Sequence, residues 1–179
     1  MSIRRFFYVC NLIKTSEIMF TKKYTVLWPD LDANWHFANH SYIKYSADAR
    51  MSFFDSIGLS KNKLEAHMRG PIVFYEHMYY YKELKLEQDF IVSVEVDGYS
   101  NDGRFGRLLQ NFYSPDGVNL ARLELIFGFI DLKTRTLSKF PDDEFEKFKT
   151  SYKTKSFKIM TKEDTRISGK TPLDIKLKL

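Results

Sequence analysis

Apolar and polar residues alternate most clearly between 90 and 97. The even positions of this segment are apolar, and three of the four odd positions are polar. A period of two is typical of a strand with one buried face. Turn signals at 101–103 (Asn-Asp-Gly) and 114–117 (Ser-Pro-Asp-Gly) separate neighbouring runs of the same kind. The predicted strands are 24–28, 72–81, 90–99, 105–113 and 120–132.

A helical period replaces this alternation between 41 and 57. Apolar side chains recur there every three or four residues, at Ile43, Ala47, Met51, Phe54 and Ile57. Gly58 is well placed just past the end of such a helix, and Asn39 or Ser41 could cap its start. Two shorter helical patterns follow, at 61–68 and 142–149.

A sheet with one apolar face needs a cover, and the long helix is the obvious one. The pattern therefore predicts an α+β fold in which about five antiparallel strands wrap one long helix. We divide the chain into a leader at 1–20, a folded domain at 21–149 and a basic tail at 150–179. A true start at Met19 would make the leader an artefact. The tail is rich in Lys, Thr and Ser and is expected to be loosely held, with an alternative in which 173–179 adds an edge strand.

The amino-acid composition restricts the cellular compartment and the ligands that we expect for this domain. The single cysteine, Cys10, excludes an internal disulfide framework, and no Cys/His cluster has the spacing of a structural zinc site. We therefore expect a cytoplasmic protein with neither metal nor cofactor. The net charge of +5 is scattered along the chain, so no nucleic-acid module is predicted. The apolar run near the N-terminus is too short to span a membrane, so no stable membrane insertion is expected.

The segment 28–42 holds the densest set of candidate functional residues, between the first strand and the long helix. Its sequence, Trp-Pro-Asp-Leu-Asp-Ala-Asn-Trp-His-Phe-Ala-Asn-His-Ser-Tyr, combines carboxylate, amide and imidazole groups. A loop that enters a helix N-terminus can bring a carboxylate and a water molecule close to free backbone N–H groups. This arrangement suits attack on a carbonyl carbon.

The same segment and the helix after it carry a recognisable pattern. Its members are Asp32, Asn39, Tyr42, Ala49-Arg50, Phe53 or Phe54, and Gly58-Leu59. This pattern resembles the hot-dog-fold thioesterases of the 4-hydroxybenzoyl-CoA thioesterase type. The run Asp32, Asn34 and His36 also resembles the Asp-x-Asn-x-His motif of plant acyl-ACP thioesterases. The resemblance covers about residues 21–149. It implies that the chain has a hot-dog fold and that it hydrolyses an acyl-CoA or acyl-ACP thioester.

The resemblance also implies roles for individual residues. The Asp32 carboxylate would attack the thioester carbonyl or activate a water molecule, and we favour water activation. Backbone N–H groups near Asn39 and His40, aided by the helix dipole, would polarise the carbonyl, with Tyr42 also at the substrate. Where the simplest bacterial pattern has glycine after Asp-Ala, this chain has Asn34, then Trp35, which could narrow the acyl pocket.

In the same reading, His36 and Asn34 would orient Asp32 or the water, and Glu83 lies close to the additional carboxylate of the plant enzymes. Each of these residues also has a structural interpretation. Asp32 could form turn hydrogen bonds, Asn39 could only cap the helix, and His36 and Glu83 could be surface residues.

Two other functions remain open at this stage. A hydratase or dehydratase of the same fold would also use an aspartate and a histidine here, although the Asn34–His36 spacing is one residue short and lacks proline. A non-catalytic acyl-binding dimer is the second alternative. The family resemblance implies a homodimer or tetramer, and pairing would also cover an exposed strand edge.

Overall fold

The strands and helices follow the predicted order closely. The computed structural model describes residues 18–166 and 174–175. The strands are β1 (Phe20–Thr25), β2 (Arg69–Tyr80), β3 (Asp89–Ser100), β4 (Phe105–Tyr113), β5 (Asn119–Asp131), β6 (Leu137–Ser138) and β7 (Lys153–Met160). The helices are α1 (Asn39–Ser56), α2 (Lys61–Ala66) and α3 (Asp142–Thr150). Residues 1–17 of the predicted leader (1–20) and most of the alternating segment 173–179 lie outside the described residues.

One curved sheet forms most of the structure. Its strand order is β1-β3-β4-β5-β2, with β6 on β5 and β7 on β3. All neighbours are antiparallel except β3 and β7, which are parallel. Helix α1 packs against the concave face, so a mixed α+β architecture with one long central helix is confirmed, although the described sheet has seven strands instead of about five.

The alternation in β3 defines the core, because Phe90, Val92, Val94 and Val96 are at most 1% exposed. The opposite face of β3 is also buried, contrary to a simple half-buried strand. Glu95 accepts hydrogen bonds from Ser93 Oγ (2.9 Å) and Asn111 Nδ2 (3.0 Å). These bonds satisfy a carboxylate that would otherwise be costly to bury.

The buried face of α1 differs from the predicted stripe. The side chains that enter the core are Tyr42, Tyr45, Ser46, Ala49, Phe53 and Phe54. Of the predicted stripe only Phe54 is fully buried, and Met51 is 38% exposed. The prediction was wrong because tyrosines bury most of their ring while keeping a hydroxyl that counts as polar.

Both ends of the predicted domain also need correction. The first strand is Phe20–Thr25 instead of 24–28, and the segment Trp28–Asp30, which contains Pro29, forms one turn of 3₁₀ helix. At the other end, the expected loose tail contains β7, which lies along the second half of β3 beyond β1. Gly98 permits this close approach, since a Cβ there would lie 2.9 Å from the Lys158 carbonyl oxygen.

Candidate active site

The loop before α1 is a narrow hairpin. Leu31 and Phe37 form an isolated antiparallel bridge, and the Asp32 N–H donates to the His36 carbonyl oxygen at 2.9 Å. The Trp35 N–H donates to the Asp32 carbonyl oxygen at 3.0 Å, which closes a four-residue turn. The turn fixes the backbone of Asp32 relative to the start of the helix.

The Asp32 carboxylate is exposed at the tip of this hairpin and is held by the turn itself. Its Oδ1 accepts hydrogen bonds from the backbone N–H of Asn34 (2.8 Å) and of His36 (3.1 Å). Among the described residues, no donor binds Oδ2. One carboxylate oxygen is therefore anchored and the other is available to a substrate or water. The contacts of Asn34 and His36 with Asp32 are made by their backbone amides instead of by their side chains.

The structure brings His36 and Glu83 together from opposite sides of the site. His36 Nε2 lies 2.9 Å from Glu83 Oε2, and Lys85 Nζ lies 2.8 Å from Glu83 Oε1. The hydrogen bond from Lys85 outweighs the opposing effect of burial and, together with the charges of Lys85 and His36, lowers the pKa of Glu83. Sequence reasoning missed Lys85. Its spacing could have indicated it, because residues two apart in an extended segment share a face, which places Lys85 beside Glu83.

The first turn of α1 differs from the predicted capping arrangement. Ala38 is the N-cap, and its N–H donates to the Asp30 carbonyl oxygen at 2.8 Å. Asn39 is the first helical residue, and its Oδ1 accepts the N–H of His40 at 2.8 Å. The His40 amide is thus already engaged. The Asn39 N–H has no acceptor within the helix, so it is the candidate oxyanion donor.

Asp32, His36 and Glu83 line one open pocket of about 390 Å³. The other lining residues are Phe37, Asn39, Tyr42, Tyr80, Tyr81 and Lys82. This volume lies within the range of small-molecule sites, about 300–1,000 Å³. The pocket therefore brings together five of the predicted site residues, Asp32, His36, Asn39, Tyr42 and Glu83, and its wall is mainly aromatic.

Tyr42 is the buried part of that wall. Its ring packs edge-on against Phe37 (4.6 Å) and Tyr80 (5.2 Å), and the residue is 3% exposed. Burial, with smaller contributions from Tyr80 and Glu83, raises the pKa of Tyr42 to about 12. The hydroxyl is therefore protonated at neutral pH and can donate a hydrogen bond to a bound ligand.

Two predicted substrate-binding side chains do not line this pocket. His40 is exposed on the first turn of α1. Trp35 is 63% exposed and packs against Trp28, with ring centroids 5.0 Å apart. Trp35, instead of Asn34, adopts the left-handed backbone conformation with φ of 64°. The structure therefore does not support Trp35 as a wall of the acyl pocket.

Asp30, two residues before Asp32 in the same loop, is buried and anchors that loop. It is 1% exposed, and its carboxylate accepts hydrogen bonds from Tyr45 Oη (2.7 Å), Lys44 Nζ (2.9 Å) and the Leu27 N–H (3.0 Å). These bonds outweigh the effect of burial and lower the pKa of Asp30. Asp30 thus stays ionised inside the fold while Asp32 faces the pocket.

A larger pocket of about 660 Å³ lies at the opposite end of β2, between α2 and the start of α3. Its walls combine cations with three carboxylates, and Lys63 and Arg69 are paired with Glu144 and Asp131. Arg104 is paired with Asp102 as well, and Lys139 shares the wall with Asp142 and Asp143, so the pocket lacks the excess of positive charge that an anion site needs. In the part of the chain described, no three His, Cys, Asp or Glu side chains converge as a metal site requires. No described helix is long and apolar enough to cross a membrane.

Comparison with solved structures identifies the fold. The chain is similar to SAV2348 from Staphylococcus aureus, solved in complex with CoA, with TM-score 0.70 and 24% identity over 88% of this chain and 96% of that one. It is also similar to Slr0204, a 1,4-dihydroxy-2-naphthoyl-CoA thioesterase from Synechocystis, with TM-score 0.65 and 14% identity over 72% and 94%.

A putative oleoyl thioesterase from Lactobacillus plantarum gives TM-score 0.70 and 15% identity over 90% of this chain and 58% of that one. These likenesses establish the predicted hot-dog fold. No protein of curated function matches the chain in sequence. The sequence model of the thioesterase-like superfamily matches residues 26–148, which include the hairpin, the long helix and the main strands. The chain therefore belongs to the thioesterase-like superfamily.

Proposed function

We propose that this protein hydrolyses an acyl-CoA thioester, with Asp32 as its central catalytic residue. The observation that carries this proposal is the Asp32 carboxylate, which is fixed through Oδ1, has Oδ2 free and lines an open pocket at the start of α1. A free carboxylate oxygen can act as the base of acyl transfer. The helix N-terminus beside it can stabilise the oxyanion that forms.

In the mechanism we favour, Oδ2 of Asp32 accepts a proton from a water molecule that attacks the thioester carbonyl carbon. The Asn39 N–H and the positive end of the helix dipole stabilise the charge that develops on the carbonyl oxygen. The thiolate then leaves and takes the proton from Oδ2 of Asp32, which restores the carboxylate. Direct attack by Asp32 on the carbonyl carbon is the other route, and it would pass through an acyl-aspartyl anhydride.

His36 has a positioning role in this scheme. Glu83 contacts its Nε2 and can fix the orientation of the imidazole, while Lys85 keeps Glu83 ionised. The pocket wall formed by Tyr42 and Tyr80 would receive the acyl group, since it is the aromatic side of the site.

CoA is the carrier that we favour over an acyl carrier protein, because a relative of the same fold was solved with CoA bound. The single cysteine and a CoA-linked substrate both fit the cytoplasm. Neither a metal nor a cofactor enters the proposed reaction.

A second copy of the chain would complete the site. The 12-residue strand β2 is the last strand of the sheet, with one edge free of any described neighbour. Val73 (45%), Phe74 (42%) and Tyr80 (54%) are exposed on it, and an unpaired apolar edge of this length invites association. Tyr80 also lines the pocket. We therefore propose a homodimer that pairs along β2, with tetramers as a further assembly.

The test is thioester hydrolysis across acyl-CoAs of increasing length, followed with a free-thiol reagent. Asp32→Asn keeps an oxygen that can accept the Asn34 and His36 amides but removes the base. We expect kcat/KM to fall at least about 100-fold without a change in unfolding temperature. The exposed helix residue Asp55, changed to asparagine, is the matched control and should retain full activity.

Two results would refute this assignment. Hydrolysis that survives in Asp32→Asn would remove Asp32 from its role. Hydration of a 2-enoyl-CoA to the 3-hydroxy form, without thiol release, would identify a hydratase instead. A wild-type protein that binds acyl-CoA and converts neither substrate would support the non-catalytic alternative.

A further inference from the structure

The two tryptophans of the chain form an exposed pair beside the candidate active site. Trp28 is 60% and Trp35 is 63% exposed, and their rings meet at 5.0 Å with planes 67° apart. Leu27, next to Trp28, is 56% exposed. An edge-to-face pair leaves most of one indole face open. Large apolar side chains that cluster at the surface mark binding sites more often than single exposed ones do.

The backbone holds Trp35 in this place at a cost. Its φ of 64° lies in the left-handed region, which residues with a bulky side chain rarely adopt. Its N–H is bonded to the carbonyl oxygen of Asp32, and the N–H groups on either side of it bind the Asp32 carboxylate. The indole and the carboxylate are therefore parts of one rigid turn. Neither burial nor backbone preference explains why tryptophan occupies this position.

We propose that the Trp28–Trp35 pair binds the pantetheine arm of the substrate's carrier. This inference rests on the proposed function, which places the thioester carbon at Asp32. From there the acyl group enters the aromatic pocket, and the arm must leave towards solvent. The indole pair lies on the exposed side of the same turn and outside the pocket wall.

The chemistry of the pair fits this neutral arm. Pantetheine has a branched apolar segment and two amide groups, which suit an indole face and an indole N–H donor. The arm is also the part of the carrier attached directly to the sulfur, so it must pass next to the turn. It is shared by CoA and by acyl carrier proteins, whereas only CoA carries a purine nucleotide.

Intrinsic fluorescence tests binding directly, because Trp28 and Trp35 are the only tryptophans. The full chain is titrated with pantetheine, CoA and 3′,5′-ADP, with excitation selective for tryptophan. We expect pantetheine and CoA to change the emission and 3′,5′-ADP to leave it unchanged. A response to 3′,5′-ADP alone, or to none of the three, would overturn the proposal. This readout needs no turnover, so it stands even if hydrolysis is not observed.

Substrate truncation supplies the second test. Trp35→Asn removes the indole, and asparagine tolerates the left-handed conformation. One acyl group is presented as its N-acetylcysteamine, pantetheine and CoA thioester. We expect KM of the variant to rise about tenfold for the pantetheine and CoA esters, with kcat changed much less, because the contact is equally present in the ground and transition states.

The N-acetylcysteamine ester lacks most of the arm and should show the smallest effect. Equal losses with all three esters, a loss in kcat alone, or a loss confined to the CoA ester would each contradict the proposal. The matched control is Arg135→Asn, which relieves a left-handed residue (φ of 57°) in an exposed turn and should leave all three esters unaffected. Failure of the proposed function would show instead as absent hydrolysis in the wild type.

Discussion

Removing the Tyr45 hydroxyl tests whether the buried Asp30 carboxylate holds in place the hairpin that carries Asp32. Tyr45 Oη donates to Asp30 Oδ2 at 2.7 Å, and both residues are buried. The Tyr45 ring also packs against Tyr24 (4.9 Å) and Phe90 (5.2 Å). Tyr45→Phe keeps these ring contacts and deletes one hydrogen bond to a charged group. The variant therefore isolates the energy of that bond.

The expected loss in the free energy of unfolding is about 2 kcal/mol at pH 7. A hydrogen bond to a charged group contributes about 1.5–3 kcal/mol. The expected loss stays below the upper end of this range because the Leu27 N–H and Lys44 Nζ still bind Asp30 in the variant. Lys44 is 60% exposed, so its own ion pair adds little, at most about 1 kcal/mol. The melting temperature should fall by about 4–8 °C for a chain of this size.

The pH dependence follows from the sign of the pKa shift. Hydrogen bonds from Tyr45, Lys44 and the Leu27 amide outweigh burial and lower the pKa of Asp30 in the folded state. The stabilisation is therefore complete above the unfolded pKa of about 3.9 and is lost as pH falls through the folded pKa. The difference between wild type and Tyr45→Phe should shrink below about pH 4.

Urea denaturation from pH 7 down to pH 3 measures this difference. The control is Tyr75→Phe, which removes an exposed hydroxyl that contacts His77 Nδ1 at 2.9 Å and should cost less than about 0.5 kcal/mol. A cost for Tyr45→Phe that matches the control, or one that is constant across the pH range, would refute the argument that Asp30 is an ionised anchor.

Three further variants test other parts of the structure. Glu83→Gln should lower kcat/KM about tenfold and leave the unfolding free energy unchanged, because the residue is half exposed; a fully active variant would show that Glu83 is not needed. Gly98→Ala should destabilise the fold by about 1–3 kcal/mol in urea, since its Cβ would meet the Lys158 carbonyl oxygen at 2.9 Å, and an unaffected variant would mean that β7 is not docked there. Val73→Lys should convert the proposed dimer to a monomer in sedimentation velocity, and an unchanged dimer would place the interface elsewhere.

The fold could be predicted where local pattern and tertiary environment agree. The alternation and the turn signals located β3, β4 and β5 to within one residue. Strand β7 was missed because its sequence, Lys-Thr-Lys-Ser-Phe-Lys-Ile-Met, is mostly polar. Its position depends on backbone pairing with β3, where Thr154 and Ser156 also bind Asp97. Backbone pairing of this kind leaves little trace in a hydrophobic pattern.

The sequence pattern is also insufficient within the candidate site, as the pair Asp30 and Asp32 shows. Residues two apart in an extended segment share a face. Here the 3₁₀ turn at Trp28–Asp30 and the hairpin after it change the direction of the chain, so one carboxylate points inward and the other outward. The motif alone could assign Asp32 to the chemistry, but not Asp30 to the anchor. The Asp30 carbonyl oxygen binds the Ala38 N–H and Ser41 Oγ, so the buried aspartate fixes the helix start against which the exposed one would act.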